Sequence, residues 1–149
     1  ATNDIDFVIE MPAGRIEAFR DALGPDFELD TSMLRDAVLH ARTANAFYLP
    51  YVTKIDFFGR AYEPFDDSEF DRRRSVVVRE SGESLVIKSP EDTVLRKLLW
   101  YRAGAEVSDR QWRDVLSVLR VSAASLDTAY LETWASRLGV TDLLARARK

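Results

Sequence analysis

The 149-residue sequence contains no cysteine, which excludes a disulfide scaffold, a thiolate metal site and a cysteine nucleophile. Histidine is nearly absent as well. With no second histidine and no cysteine to join it in a metal site, His40 is interpreted as a helix-end residue near a C-terminal dipole. The lack of cysteine leaves the compartment open, and a cytoplasmic location is the default expectation.

Apolar runs long enough to cross a membrane are also missing, since none approaches the roughly 20 residues that a span requires. The first residues are typical of a strand rather than of a signal peptide. The formal net charge of −4 argues against a protein that coats nucleic acid through bulk charge. We therefore expect no membrane partner, and an RNA partner would have to be recognised by a local patch.

Six glycines, five prolines and 46% apolar residues are typical of a globular domain with a well-formed core. The sequence predicts an α+β fold, with a sheet region over residues 1–88 and a helical region packed on it over residues 89–149. Strands are predicted over residues 3–10, 27–29, 46–49, 52–58, 76–79 and 85–88, the last two joined by a hairpin turn at Ser81-Gly82. Helices are predicted over residues 15–23, 66–74, 90–103, 127–138 and 141–148, with two more beginning near residues 31 and 109. Ser89 and Ser108 are predicted to cap the helices that follow them.

Two acidic residues stand at alternate positions of the first predicted strand. Asp4 and Asp6 would share one face of that strand, with apolar side chains on the other face. Asp56 lies at a position where a buried strand would normally carry an apolar residue. Three carboxylates on neighbouring strands could hold Mg²⁺ and a triphosphate, because Mg²⁺ takes only one or two protein carboxylates beside waters and phosphate oxygens.

The order of these motifs resembles a known family. The Thr-x-Asp-x-Asp strand, a later lone aspartate on a strand, and a downstream helical lysine and aspartate are similar to the nucleotidyltransferase fold of DNA polymerase beta relatives. The segments that carry the resemblance are TNDIDFVI, KIDFF, EDTVLRKLLWYRAG and DRQWRDVLSVLRV, and the helical ones point to the AbiEii-like branch of bacterial proteins. The resemblance implies a nucleotidyltransferase-like mixed sheet with flanking helices and a C-terminal helical bundle.

The resemblance implies a function as well: Mg²⁺-dependent transfer of a nucleoside monophosphate from an NTP to a hydroxyl of RNA or protein, with two magnesium ions as cofactors. By that comparison Asp4 and Asp6 bind metal, and Asp56 binds metal or activates the attacking hydroxyl. Lys97 would contact nucleotide phosphates, and Asp114 would orient that lysine or the substrate. Many members of the branch are toxins of type IV toxin-antitoxin pairs, so a toxin role and an antitoxin-like protein partner are implied too.

The sequence departs from this family at its beginning. The family starts with a Gly-Ser pair at a helix start, where backbone N–H groups and the serine hold phosphates, and this sequence has no such motif. Either residues precede Ala1 in the natural protein, as we predict, or this relative has lost that half. As it stands, we expect an incomplete phosphate site and a first strand with a poorly covered face. The alternative function is therefore a catalytically degenerate relative that acts as a binding or regulatory partner.

Each candidate site residue also has a structural interpretation. Asp4 and Asp6 could form the solvated face of an edge strand. Lys97 could be a surface lysine, and Asp114 could pair with Arg110, one turn earlier on an exposed helix face. From the sequence these alternatives stay open.

Three consecutive arginines at positions 72–74 could meet RNA or nucleotide phosphate. Because Glu69 and Asp71 lie beside them, we interpret the segment as a solvated charged helix. The arginines are accordingly left out of the predicted site.

Overall fold

The computed structural model describes residues 4–149. In that part of the chain it contains seven α-helices, a four-stranded mixed sheet and a two-stranded sheet, which confirms the predicted α+β class. The chain forms two compact units, of which the first ends at Asp66 and the second covers Asp67–Lys149. The change to purely helical sequence after residue 88 thus falls inside the second unit. Within residues 4–149, none of the helices combines the length and the apolar character that a membrane span needs.

The first unit contains the four-stranded sheet and two α-helices. Its strands are β1 (Asp4–Ile9), β2 (Phe27–Leu29), β3 (Thr43–Tyr48) and β4 (Thr53–Gly59), and its helices are α1 (Ile16–Leu23) and α2 (Thr31–His40). The strand order is β1-β4-β3-β2, with β1 parallel to β4 and the other two pairs antiparallel. β4 is therefore a central strand, and β1 and β2 form the edges.

Strand alternation divides this sheet into a core face and an open face. The buried residues of the core are Ile16, Leu34, Ala37, Ala44, Ala46, Ile55 and Phe57, contributed by α1, α2, β3 and β4. Gly59, at the end of β4, allows α2 to approach very closely, because a Cβ added there would lie 1.9 Å from the carbonyl oxygen of Ala37. The helix and the central strand thus meet backbone to backbone at this point.

The edge strand β1 is covered less well than the rest of this core face. Phe7 stacks on the ring of Phe57 with 6.0 Å between ring centroids. Nevertheless, Ile5 and Phe7 each remain 47% exposed. The poorly covered face that the sequence led us to expect on the first strand is thus confirmed for the side chains that the structure describes.

The second unit contains a small hairpin followed by four helices. The hairpin strands are β5 (Arg74–Val77) and β6 (Ser84–Ile87), which pair antiparallel as predicted, and Gly82 between them has a φ of 73°. The helix α3 (Pro64–Asp71) spans the boundary between the units, and α4 (Pro90–Ala103), α5 (Asp109–Ser122), α6 (Thr128–Arg137) and α7 (Thr141–Ala147) follow.

Side-chain caps begin the three longest of these helices. Ser89 accepts a hydrogen bond from the Asp92 N–H, and Ser108 accepts one from the Gln111 N–H, so both predicted caps are confirmed. Asp127 caps α6 in the same way. Apolar residues at helical spacing form the buried centre of the unit, namely Val94, Leu95, Leu98, Val115, Leu131, Ala135, Val140, Leu143 and Leu144.

The predicted surface helix over residues 66–74 needs correction. The helix ends at Asp71, and Arg74 already belongs to β5. Glu69 is buried rather than solvated, and Lys88 and Arg96 contact its two carboxylate oxygens at 2.7 and 2.9 Å. Charge pattern alone did not reveal that these ionic side chains neutralise one another inside the unit.

Candidate active site

The parallel pairing of β1 and β4 places two of the predicted acids side by side. Asp6 is the register partner of Asp56. Directly opposed residues of paired strands project to the same face of a sheet, and here that is the open face, because Ile55 and Phe57 occupy the core face. The sequence predicted the acids on neighbouring strands, and the structure supplies the register that opposes them.

Asp4 is the third predicted metal ligand. Its backbone belongs to β1, where its register partner is Lys54. Its side chain lies outside the described part of the structure, so its predicted role as a metal ligand stays a prediction.

Asp56 is held by two neighbours on the open face. The Lys54 ammonium lies 2.8 Å from Oδ2 of Asp56, and the side-chain amide of Asn45 donates to Oδ1. The side chain of Asp56 is 13% exposed, whereas that of Lys54 is 41% exposed. Asp56 is therefore a largely enclosed, charge-compensated carboxylate beside the exposed carboxylate of Asp6.

These residues can be tested against the chemistry of the predicted magnesium site. Among the described side chains, no group of three histidine, cysteine, aspartate or glutamate residues is arranged to hold a metal ion. A pair of carboxylates still suits Mg²⁺, which retains several waters and binds through only one or two protein carboxylates. Asp6 and Asp56 are the described residues that fit it, and Lys54 would have to release Asp56 for the ion to bind.

Asn45 and Lys54 were not among the predicted site residues. Each stands at a position whose alternation places it on the open face, Asn45 between two buried alanines and Lys54 before buried Ile55. The alternation that places both side chains on the open face could be read from the sequence. Their contact with Asp56 was not, because it depends on the pairing register of β3 with β4.

The predicted nucleotide-binding residues Lys97 and Asp114 form a pair in the second unit. The Lys97 ammonium lies 2.6 Å from Oδ2 of Asp114 and 3.4 Å from Oε1 of Gln111. One member comes from α4 and the other from α5. The contact is the one expected if Asp114 orients Lys97, and it also suits an ion pair that merely joins two helices.

A second ionic cluster, which the sequence did not predict, lies at the start of α4. The side chains of Glu91 and Asp92 are both 0% exposed. The Arg72 guanidinium lies 3.3 Å from Glu91 and 3.7 Å from Asp92, and it stacks over the Tyr130 ring at 3.8 Å. Tyr130 in turn donates a hydrogen bond to Asp92 at 2.6 Å. We call Arg72, Glu91, Asp92 and Tyr130 the buried cluster.

The buried cluster changes the acidity of two of its members. Burial disfavours ionisation of Glu91, but hydrogen bonds from the backbone N–H groups of Asp127 and of Glu91 itself and from Ser89, together with the charge of Arg72, outweigh it and lower the pKa of Glu91. Burial, and then the hydrogen bond to Asp92, raise the pKa of the Tyr130 hydroxyl above its usual range. These surroundings therefore favour a charged Glu91 carboxylate and a neutral Tyr130 phenol.

The acids and the arginine of this cluster are visible in the sequence, but each has a local explanation that does not require the contact between them. Two consecutive acids in the first turn of a helix are usual there because they complement the helix dipole. An arginine run upstream was interpreted as solvated. Only the folded chain shows that Arg72 of that run contacts both acids.

Comparisons with known proteins find no matching family model and no matching curated protein. The nucleotidyltransferase family implied by the motifs therefore stays a prediction.

Proposed function

We propose that the chain is a nucleotidyltransferase-like protein that transfers a nucleoside monophosphate from an NTP to a hydroxyl of RNA or protein with the help of Mg²⁺. The observation that carries the proposal is the register of β1 with β4, which sets Asp6 opposite Asp56 on an accessible sheet face. Nucleotidyl transfer needs positioning and charge neutralisation rather than covalent chemistry, and paired carboxylates on rigid strands meet that need.

Each residue of the open face has a defined task in this proposal. Asp4 and Asp6 would hold the metal, which when bound would neutralise phosphate charge. Asp56 would either bind the metal as well or accept the proton of the attacking hydroxyl. Asn45 keeps the Asp56 carboxylate in one orientation, since its amide donates to Oδ1. Lys54 compensates the charge of Asp56 until a cation takes its place.

Calorimetric titration of Mg²⁺ with each NTP tests the proposal. Saturable, Mg²⁺-dependent NTP binding is expected for the wild-type chain and should be lost in Asp4→Asn, Asp6→Asn and Asp56→Asn. Glu28→Gln is the matched control, because Glu28 is an exposed acid at the other edge of the sheet, opposite Phe47 rather than an aspartate. Transfer of label from an α-labelled NTP to RNA or protein would then identify the acceptor.

Two outcomes contradict the proposal. If NTP binds equally well to the wild type and to folded Asp6→Asn and Asp56→Asn variants, the open face is not the site. If no Mg²⁺-dependent binding is measured at all, this chain does not form a working nucleotide site. Circular dichroism of each variant shows whether a loss reflects the site or the fold.

A second function is favoured by the contacts of Asp56. Both of its carboxylate oxygens already have partners, in Lys54 and Asn45. A catalytically degenerate relative would retain such a closed arrangement. It would act as a binding or regulatory partner, for example of an antitoxin-like protein. Lys54→Met separates the two functions: stronger Mg²⁺ binding in this variant indicates a competent site held shut by Lys54, and unchanged absence of binding favours the degenerate protein.

A further inference from the structure

The hairpin of the second unit projects a largely unburied surface. All eight residues of β5 and β6 are exposed, including the apolar residues Val76, Val77, Leu85, Val86 and Ile87. We call residues 74–87 the arm. A two-stranded sheet with so little burial is only marginally stable in water, so the hydrophobic effect contributes little to holding the arm in place.

Ionic contacts at both ends of the arm replace that burial. On the β5 side, Arg72 contacts buried Glu91 at 3.3 Å, and Arg74 lies 3.9 Å from the same carboxylate oxygen. On the β6 side, Lys88 contacts buried Glu69 at 2.7 Å. Each end of the arm is therefore fixed by a cation to an acid inside the unit.

We propose that the buried cluster is a releasable clasp. The contacts of Arg72 with Glu91 and Asp92 keep the arm closed, and breaking them opens the arm. The helices α4 to α7 stay folded in both states of the arm. The proposal concerns the second unit alone and is independent of the nucleotidyltransferase function.

The physical reason is that opening the arm costs less free energy than unfolding the helices. When Arg72 leaves, Glu91 and Asp92 lose their counter-charge inside the protein, which is unfavourable as long as they stay buried. Displacement of the arm would let water reach these acids. Unfolding the helices would instead expose the apolar centre around Leu95, Leu98 and Leu131, each of which is 0% exposed. The arm should therefore open first.

Opening would also uncover apolar surface beside the arm. A groove of about 470 Å³ runs between the arm and α5, with Val76 and Ile87 on one wall and Val118 and Val121 on the other. Because the arm supplies one wall, the clasp controls the shape of this groove.

Amide hydrogen exchange of the full chain, read by mass spectrometry, tests the clasp. In Arg72→Met we expect peptides covering residues 72–88 to exchange about tenfold faster or more, with α4 to α7 unchanged. Arg73→Met is the matched control, because Arg73 stacks on Phe70 at 3.5 Å and belongs to the same arginine run. This control should leave the arm as protected as in the wild type.

Glu91→Gln provides a second variant that keeps the shape of the side chain and an acceptor for the Asp127 N–H but removes the charge that Arg72 meets. It should accelerate exchange in the arm by a smaller factor than Arg72→Met does. The clasp is refuted if both variants leave the arm protected, if Arg73→Met opens it equally, or if residues 72–88 and the helices lose protection together. If Arg72→Met does not fold, acceleration confined to the arm in Glu91→Gln supports the clasp, and its absence refutes it.

Discussion

Acidic side chains lie in opposite environments in the two units. On the sheet of the first unit, Asp6 is exposed, and its neighbour Asp56 reaches the same accessible face. At the start of α4 in the second unit, Glu91 and Asp92 are fully enclosed and meet Arg72. Asp6 is reachable by a cation from solvent and Asp56 beside it is held by Lys54 on the same face, whereas Glu91 and Asp92 meet their cation inside the unit.

This difference separates two uses of carboxylates. An enclosed acid needs partners to offset its lost hydration, so it contributes to conformational specificity and is sensitive to the loss of any partner. An accessible acid costs little in the folded state and remains available for a ligand. Acid content by itself therefore does not identify a site.

The largest effect on stability should come from the first unit and involve no charge at all. Gly59→Ala would bring a methyl group to 1.9 Å from the Ala37 carbonyl oxygen, so α2 and β4 would have to separate. We expect a loss of about 3 kcal/mol in the free energy of unfolding, measured by urea denaturation with circular dichroism. Gly14→Ala is the control, because a Cβ there meets nothing within 4 Å. Equal stability of the two variants would contradict the close approach.

The next largest effect should distinguish the two acid environments directly. Asp92→Asn disturbs a carboxylate that accepts from Tyr130 and Ser89, and we expect it to cost about 2 kcal/mol. Asp6→Asn should leave unfolding unchanged, because the Asp6 side chain is exposed. The three tryptophans all belong to the second unit, so their fluorescence follows the unfolding of the unit that holds Asp92. Similar costs for the two substitutions would remove the contrast between the units.

Acid should reveal the same contrast through Glu91. Its pKa is lowered in the folded state, so its charge stabilises the fold above the ordinary value of 4.5, and this contribution is lost as pH falls below that value toward the folded pKa. The difference in stability between the wild type and Glu91→Gln should therefore be full at neutral pH and shrink below pH 4.5. Urea denaturation at a series of pH values measures it.

Glu80→Gln, at an exposed acid of the same unit, is the control for this pH series. Its stability difference from the wild type should stay small at every pH. A Glu91→Gln difference that grows in acid would show that burial, rather than the Arg72 and backbone contacts, dominates at Glu91.

The smallest effect is expected for Lys97 and Asp114. Their contact is short, at 2.6 Å, but both side chains are partly exposed. A double-mutant cycle of Lys97→Gln and Asp114→Asn should give a coupling of about 0.5 kcal/mol. A large loss of Mg²⁺-dependent NTP binding in Lys97→Gln, beside this small coupling, would assign the pair to nucleotide binding. Equal NTP binding in the wild type and the variant would leave the pair as a link between helices.

Much of the local structure could be predicted from the sequence because it depends on neighbours in the chain. Ser89 and Ser108 were identified as caps from residues only three positions away. The hairpin turn near Gly82 and the alternation around Asp56 were likewise local patterns. The end of α3 at Asp71 was missed, because charges alone do not show where a helix stops.

Contacts between distant segments could not be predicted in this way. Arg72 lies far from Asp127 and Tyr130 in the sequence, and Asn45 reaches Asp56 only through the pairing of β3 with β4. Each of these contacts depends on how elements pack, which a local pattern does not encode. The candidate acids were therefore identified before their partners were.

By itself, the sequence determined the α+β class, the order of the elements and the acids that a sheet face would offer, because hydrophobic period, capping and turn chemistry act over a few residues. The tertiary structure decided which acids are accessible and which are enclosed. It opposed Asp6 to Asp56 through strand register and placed Arg72 against Glu91. Both results require long-range packing, in which the burial of apolar surface, rather than local preference, sets the neighbours of each charge.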